Sequence, residues 1–432
     1  MSSKPKLSRR QFFQLSGLAA AGLLAEAGMR PGIALASTIG GPNSTTGPSL
    51  AVPAAPGLSD PALQPKFTTP VPDALDPGFK FVPQNLKKNR YKVAVGPSVQ
   101  MTGLVNTTGG VAGAPVSTPV WGYGLPNLGY TWPGRTFEVQ SGVPIQVKWE
   151  NKLLDPVTGA FLPHLLPVDT SLHWAYSLPG FEANTIANAG VPIVAHLHGG
   201  HSDFQYDGNP EFFFSPGYGV RGPQWLDKEY IYHNDQPAGN LWYHDHALGI
   251  TRLNVYAGLA GFYFVRDLDD TGLPGNPLDL PAWPYEKAYA IQDRMFLSTG
   301  ELFYPAFPGD PYYDDFITGE GAILPPAIFP GGGPTALAEF FGDHMVVNGV
   351  IWPKENVEPR NYRLHLLNGT DSRFMALQLF EVPPTATDTS AAIQQLSFTV
   401  VGSDQGLASS PSTVSMLLSE PGSRYDIVVD FS

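Results

Sequence analysis

Apolar and polar residues alternate with a period of two in a series of short runs, the pattern of half-buried β-strands. The runs cover residues 91–95, 136–139 and 145–149, then 193–198, 230–233, 241–244 and 261–265. The run at 193–198 is apolar apart from two histidines, and Gly199-Gly200 stops it. A first β-domain is expected over 76–267. Residues 268–284 hold Asp269, Asp270, Gly272, Pro274, Gly275, Pro277, Pro281 and Pro284, which predicts a linker. A second domain is expected over 285–432, with a loop at Gly331-Gly332-Gly333-Pro334. Residues 424–432 alternate again and show no closing turn. A weak repeat fits two similar units: Trp132-Pro133 leads to residues 147–151, and Trp352-Pro353 leads to residues 364–368.

Composition sharpens the fold class. The chain has 432 residues, room for two or three domains. Its 47 Gly and 44 Pro are high for a helical protein, and aromatic residues make up 12%. Turn residues at short intervals between Val/Ile/Tyr/Phe-rich runs predict an all-β protein built of sandwiches. Residues 37–75 are rich in Gly, Pro, Ser, Ala and Thr without alternation and are expected to form a flexible arm.

The formal charge is −13. The first 36 residues carry Lys4, Lys6, Arg9, Arg10 and Arg30 against Glu26, so the rest of the chain is still more acidic. No basic stripe is offered, which excludes nucleic acid as a partner. Ser8-Arg9-Arg10-Gln11-Phe12-Phe13 is a twin-arginine pattern; an apolar stretch at 15–24 and Ala34-Leu35-Ala36 complete the order of an export signal over 1–36. The stretch is too short to predict a stable membrane span, and no other segment is long and apolar enough. A periplasmic or extracellular location is expected.

The chemistry concentrates in two motifs, Ala195-His196-Leu197-His198-Gly199-Gly200 and Trp242-Tyr243-His244-Asp245-His246. On a strand, residues i and i+2 share a face, so each His-x-His pair projects two imidazoles together. Two such pairs among ten histidines predict a metal site if the strands are neighbours. Imidazole suits zinc, copper, iron and nickel, with divalent affinity peaking at copper. Asp245, between two of these histidines, should face the other way and support them from behind. His201 follows the glycines and is a weaker candidate for such support. His164, His173, His233, His344 and His365 lack a partner at ligand spacing, and Met295, Met345 and Met375 are expected in the core.

The two motifs together resemble the first two copper motifs of multicopper oxidases, most of all the bacterial laccase-like branch that includes spore-coat laccase, bilirubin oxidase and phenoxazinone synthase. The resemblance extends over about residues 80–432, through Gln205-Tyr206-Asp207-Gly208-Asn209-Pro210-Glu211, Ala247-Leu248-Gly249-Ile250-Thr251-Arg252-Leu253-Asn254, Val347-Asn348-Gly349 and Glu358-Pro359-Arg360-Asn361. It implies tandem cupredoxin domains, each a Greek-key β-sandwich, with the second incomplete in this sequence, because the strand at 424–432 lies inside that domain in the family, and the third absent. It implies copper at a trinuclear cluster, His196 on the lone type 2 copper and His198, His244 and His246 on the type 3 pair. Asp207 matches an acidic residue near the type 2 copper, with a proton-relay role in reducing O2; the plainer alternative is that Asp207-Gly208 is a turn.

The family also needs a copper bound by a cysteine thiolate in a third cupredoxin domain, and this chain has no cysteine. The expectation is therefore the N-terminal part of an exported oxidase that couples one-electron oxidation of phenolic, pigment-like or metal-ion substrates to four-electron reduction of O2. The chain would carry half of the cluster's histidines, lack the C-terminal cupredoxin domain and be inactive alone. A copper-free structural or division-associated protein of the same fold is the alternative, although its relatives have lost the histidines that are intact here. A trimerising two-domain copper oxidase would need a cysteine-bound copper.

Overall fold

The computed structural model describes residues 57–85, 89–107, 111–304, 340–386 and 388–432. The export signal expected at 1–36 and the loop at 331–334 lie outside them. The first domain contributes nine strands: β1 (Arg90–Gln100), β2 (Thr118–Leu125), β3 (Gly129–Thr131), β4 (Gly134–Gln140), β5 (Ile145–Asn151), β6 (Ala195–His198), β7 (Glu229–Tyr232), β8 (Gly239–Asp245) and β9 (Ala260–Arg266). They form two facing sheets, ordered β3-β2-β1-β5-β7 and β4-β9-β8-β6. Each run predicted in this domain falls within or overlaps a strand. β2 escaped the pattern because nearly all its residues are buried, leaving no alternation to see.

The second domain begins with β10 (Glu286–Phe296), β11 (Leu302–Phe303), β12 (His344–Val347), β13 (Val350–Ile351) and β14 (Asn361–Asn368). Its main sheet runs β13-β12-β10-β14, then Arg424–Asp430, Phe398–Ser403 and Gly406–Val414, with β11 paired on β10. The repeat has a topological counterpart. β5 pairs in parallel with β1, Arg90 opposite Gln146, and β14 pairs in parallel with β10, Glu286 opposite Arg363. Each Trp-Pro unit thus leads to a strand lying parallel to the first strand of its own domain.

Alternation along the β4-β9-β8-β6 sheet sorts its two faces. Ala195, Leu197, Leu241, Tyr243 and Tyr263 enter the sandwich core. Trp242, Phe262 and Phe264 point outward, but they pack with Ala288, Ala290 and Leu367 of the second domain. The sheet is therefore covered on both sides, which is why β8 and β9 are buried at every residue.

Two segments differ from expectation. Residues 57–75, expected within a flexible arm, are fastened to the second domain: Ser59 N–H donates to Phe296 O at 2.8 Å, Phe67 N–H to Trp352 O at 2.8 Å and Val71 N–H to Lys354 O at 2.9 Å. Ala74 and Leu75 are buried there. Composition missed this because the segment pairs by its backbone, which any residue but proline supplies. The linker, in turn, is bonded into the domain junction. Asp270 is buried and receives two hydrogen bonds from the Arg363 guanidinium, at 2.8 and 2.7 Å. Arg266 reaches Glu286, His365 bonds Glu286 and Asp426, and Arg363 also bonds Asp426, so one buried charge network ties linker and domains together.

Candidate metal centre

β6 and β8 are antiparallel neighbours, with His196 opposite His244, Ala195 opposite Asp245 and His198 opposite Trp242. His196, His198 and His244 therefore share the outward face of the sheet, and His246 follows just beyond β8. The His196 ring centroid lies 5.6 Å from that of His198, 5.3 Å from His244 and 5.0 Å from His246. Ring nitrogens of His196, His198 and His244 lie within 4.8 Å of one another. Trp242 packs against His198 and His244, at centroid distances of 5.1 and 4.2 Å.

Glycine makes this crowding possible at two points. Gly199 has φ +84°, and a Cβ there would stand 2.5 Å from the Arg424 guanidinium. Gly208 has φ +74°, and a Cβ would stand 2.2 Å from Ala195 O. Without a side chain at 208, the loop carrying Asp207 lies directly on β6.

The hydrogen bonds orient the rings. His196 Nδ1 donates to the backbone carbonyl of Asp207, and His244 Nδ1 donates to Asp245 O at 2.7 Å. A carbonyl only accepts, so Nδ1 carries the proton in both rings and Nε2 is left unprotonated. His198 Nδ1 lies 3.3 Å from His244 Nε2. His246 Nδ1 is buried without a partner. Burial, helped by the Arg424 guanidinium, pushes His198 down to about 4. Burial also holds His244 well below, and His246 below, the usual histidine range. These three imidazoles are neutral at neutral pH, the form that binds metal. The donor set, the anchored Nδ1 atoms and the partnerless buried nitrogen all fit a copper or zinc ion.

Asp245 faces the opposite side, as its position between two histidines predicts. It is fully buried and accepts from Val194 N at 3.0 Å, Ala247 N at 3.1 Å and Asn254 Nδ2 at 2.8 Å. Burial raises its carboxyl to about 7. Asn254 also donates to Pro192 O and faces His164, so it braces the strand ends behind the histidines. Asp207 lies beside His196. Its half-exposed carboxylate lies 3.5 Å from His196 Nδ1, the side of the ring turned away from Nε2. His201 pairs with Asp235 at the surface at 3.3 Å, away from the other four.

The four histidines open onto a cleft of about 460 Å³. The short helix Thr251–Tyr256 and the second domain form its other walls, through Arg294, Thr370, Asp371 and Gly422 among others. Arg294 is fully buried and donates to Tyr256 O at 3.0 Å and Val255 O at 3.3 Å. Neither Arg294 nor Asp371 carries a local sequence signal; tertiary contact brings both to the histidines.

No protein-family model matches the chain. Curated relatives do. It is 37% identical over 300 residues to a laccase of Bacillus stratosphericus, covering 69% of this chain and 49% of the relative. It is 33% identical over 364 residues to a laccase of Bacillus subtilis, covering 84% and 58%. It is 34% identical over 316 residues to the multicopper oxidase LPR1 of Arabidopsis thaliana, covering 73% and 45%. The chain thus spans about half the length of the curated relatives it matches. Among solved structures, a multi-copper oxidase from Pediococcus acidilactici superposes with a TM-score of 0.56 at 20% identity, over 88% of this chain and 58% of that one. A variant of the McoA multicopper oxidase of Aquifex aeolicus gives 0.55 at 22% identity, over 85% and 57%. These two likenesses bear on the fold, the tandem cupredoxin arrangement.

Proposed function

We propose that this chain, a relative of the laccase-like multicopper oxidases, holds copper through His196, His198, His244 and His246 and supplies that half of an oxygen-reducing copper cluster. One observation carries the reading: three imidazole nitrogens meet within 4.8 Å on two adjacent strands. Copper bound there would accept electrons singly and pass them to O2.

The chain's own residues prepare the site. The carbonyls of Asp207 and Asp245 fix two rings so that their Nε2 atoms point away from the backbone. Burial keeps His198, His244 and His246 neutral. Trp242 fills the space beneath His198 and His244, which limits ring rotation. The cleft gives a small molecule such as O2 access to the exposed edge of the rings. The thiolate-bound copper at which such oxidases take electrons is not among this chain's residues, since it has no cysteine. In the whole protein the reaction would couple one-electron oxidation of phenolic, pigment-like or metal-ion substrates to reduction of O2 to water. The twin-arginine pattern at Ser8-Arg9-Arg10 supports export to the periplasm or beyond. Among the described residues, no helix is long and apolar enough to cross a membrane.

The test is copper stoichiometry of the purified protein, with His196→Ala and His244→Ala as controls. Bound copper lost in both variants, with the fold retained by circular dichroism, supports the reading. A folded wild-type protein that takes up no copper would instead favour the copper-free structural alternative.

A further inference from the structure

Asp371 follows β14 and stands on the second-domain wall of the cleft. It is the one acidic residue among the described residues lining that space. Its Oδ2 accepts from Ser372 Oγ at 3.1 Å and lies 3.5 Å from the Tyr304 hydroxyl. The guanidiniums of Arg294 and Arg252 face it and favour its charged form. Asp293 also faces it, but that carboxylate is engaged by Arg373 at 3.0 Å and by Gly342 N–H at 2.9 Å. Burial outweighs the arginines and raises the Asp371 carboxyl above the usual carboxylate range.

Oxygen reduction at the histidines requires protons at this place. Reduction of one O2 to two waters consumes four electrons, supplied by the reducing substrate, and four protons. Among the histidines, the Nδ1 protons of His196 and His244 are committed to carbonyls, and a ring nitrogen that holds metal carries no proton. The Asp207 carboxylate lies behind His196 rather than on the cleft.

We propose that Asp371 is the proton-holding carboxyl of the histidine cleft and passes protons to oxygen as it is reduced there, an inference that rests on the oxidase reading. In each transfer the Asp371 O–H bond breaks and an O–H bond forms on the reduced oxygen or on an intervening water. The carboxylate left behind is held by Ser372 and the two arginines until a proton from solvent replaces the one given. A cleft of about 460 Å³ has room for the water chain this needs.

The test compares wild type, Asp371→Asn and Asp371→Glu as full-length, copper-loaded protein. After anaerobic reduction, each is mixed with O2 and reoxidation is followed across pH. Asp371→Asn should reoxidise at least about tenfold more slowly, the scale of a lost acid–base group. Copper content and anaerobic reduction should not change, and Asp371→Glu should recover part of the rate. A metal-free sample gives a second readout. Infrared spectroscopy should show a protonated carboxyl persisting above the usual carboxylate range, lost in Asp371→Asn. Reoxidation of Asp371→Asn within about twofold of wild type, or no such infrared band, overturns the proposal. A wild-type protein that binds copper yet leaves O2 unreduced overturns the oxidase reading, and this proposal with it.

Discussion

His196 and His244 face each other across one rung of the β6–β8 ladder, ring centroids 5.3 Å apart, and each gives its Nδ1 proton to a backbone carbonyl. Side-chain position and ring orientation are thus both set by the backbone. The site should be sensitive to backbone changes that touch no histidine.

Gly208→Ala tests that dependence. The added Cβ would meet Ala195 O at 2.2 Å in a conformation with φ +74°. The Asp207 loop must lift away, releasing His196 Nδ1. Copper affinity should fall by about 10–100-fold, as when the partner of a ligating histidine is lost. Stability should fall by about 1–3 kcal/mol. Copper titration and thermal unfolding measure the two effects, and unchanged affinity would contradict the role given to the Asp207 carbonyl.

The junction network should give stability a mildly acidic optimum. Glu286 and Asp426 are held below the usual carboxylate range by His365 and the arginines, against the cost of burial. Their contribution is complete above the unfolded-state values, near 4.5 and 3.8, and is lost as pH falls through the lower folded values. His365 is held above its usual 6.5 by Asp426 and Glu286, so its contribution is complete below that value and lost as pH rises through the folded one. The network as a whole is strongest between about pH 4.5 and 6.5. Asp426→Asn should cost about 3–5 kcal/mol there and flatten the pH dependence of the unfolding midpoint. A parallel downward shift at every pH would refute the linkage.

Asn254→Ala should destabilise the first domain without removing a ligand. Asn254 Nδ2 donates to Pro192 O at 3.1 Å and to Asp245 Oδ1 at 2.8 Å, all in buried surroundings. Losing these bonds leaves buried acceptors short of partners, worth about 2–4 kcal/mol. The midpoint of chemical denaturation should drop accordingly; a shift below about 0.5 kcal/mol would mean that water replaces the amide.

Asp207→Asn leaves the backbone carbonyl on His196 in place. With the carboxylate turned from the cleft, oxygen reduction by the full-length, copper-loaded protein should stay within about threefold of wild type. A fall of about a hundredfold, with copper content unchanged, would return the proton-relay role to Asp207.

Much of the histidine cluster was legible in the chain because its signal is local. Strand geometry places residues two apart on one face, so each His-x-His pair declares itself without reference to the rest of the protein. The position of Asp245 behind the ligands follows from the same rule. The strands that alternate were visible for this reason too, whereas β2, buried on both faces, and the 57–75 segment, held by backbone bonds, gave no pattern.

What tertiary structure alone decided is everything that depends on register and on the second domain. The pairing of β6 with β8 turns two pairs into one cluster, and no spacing in the sequence fixes which residue stands opposite which. Most of the cleft's far wall comes from residues more than a hundred positions away along the chain, Asp371 among them, and an isolated aspartate in a turn looks the same whether it meets solvent or a cleft. Asp207 shows the converse. Its place near the ligands was evident from sequence, but the direction of its carboxylate was not, because direction depends on how Gly208 lets the loop lie against β6. Local chemistry is written in the order of residues; which groups face a shared space is set by packing between elements remote in the chain.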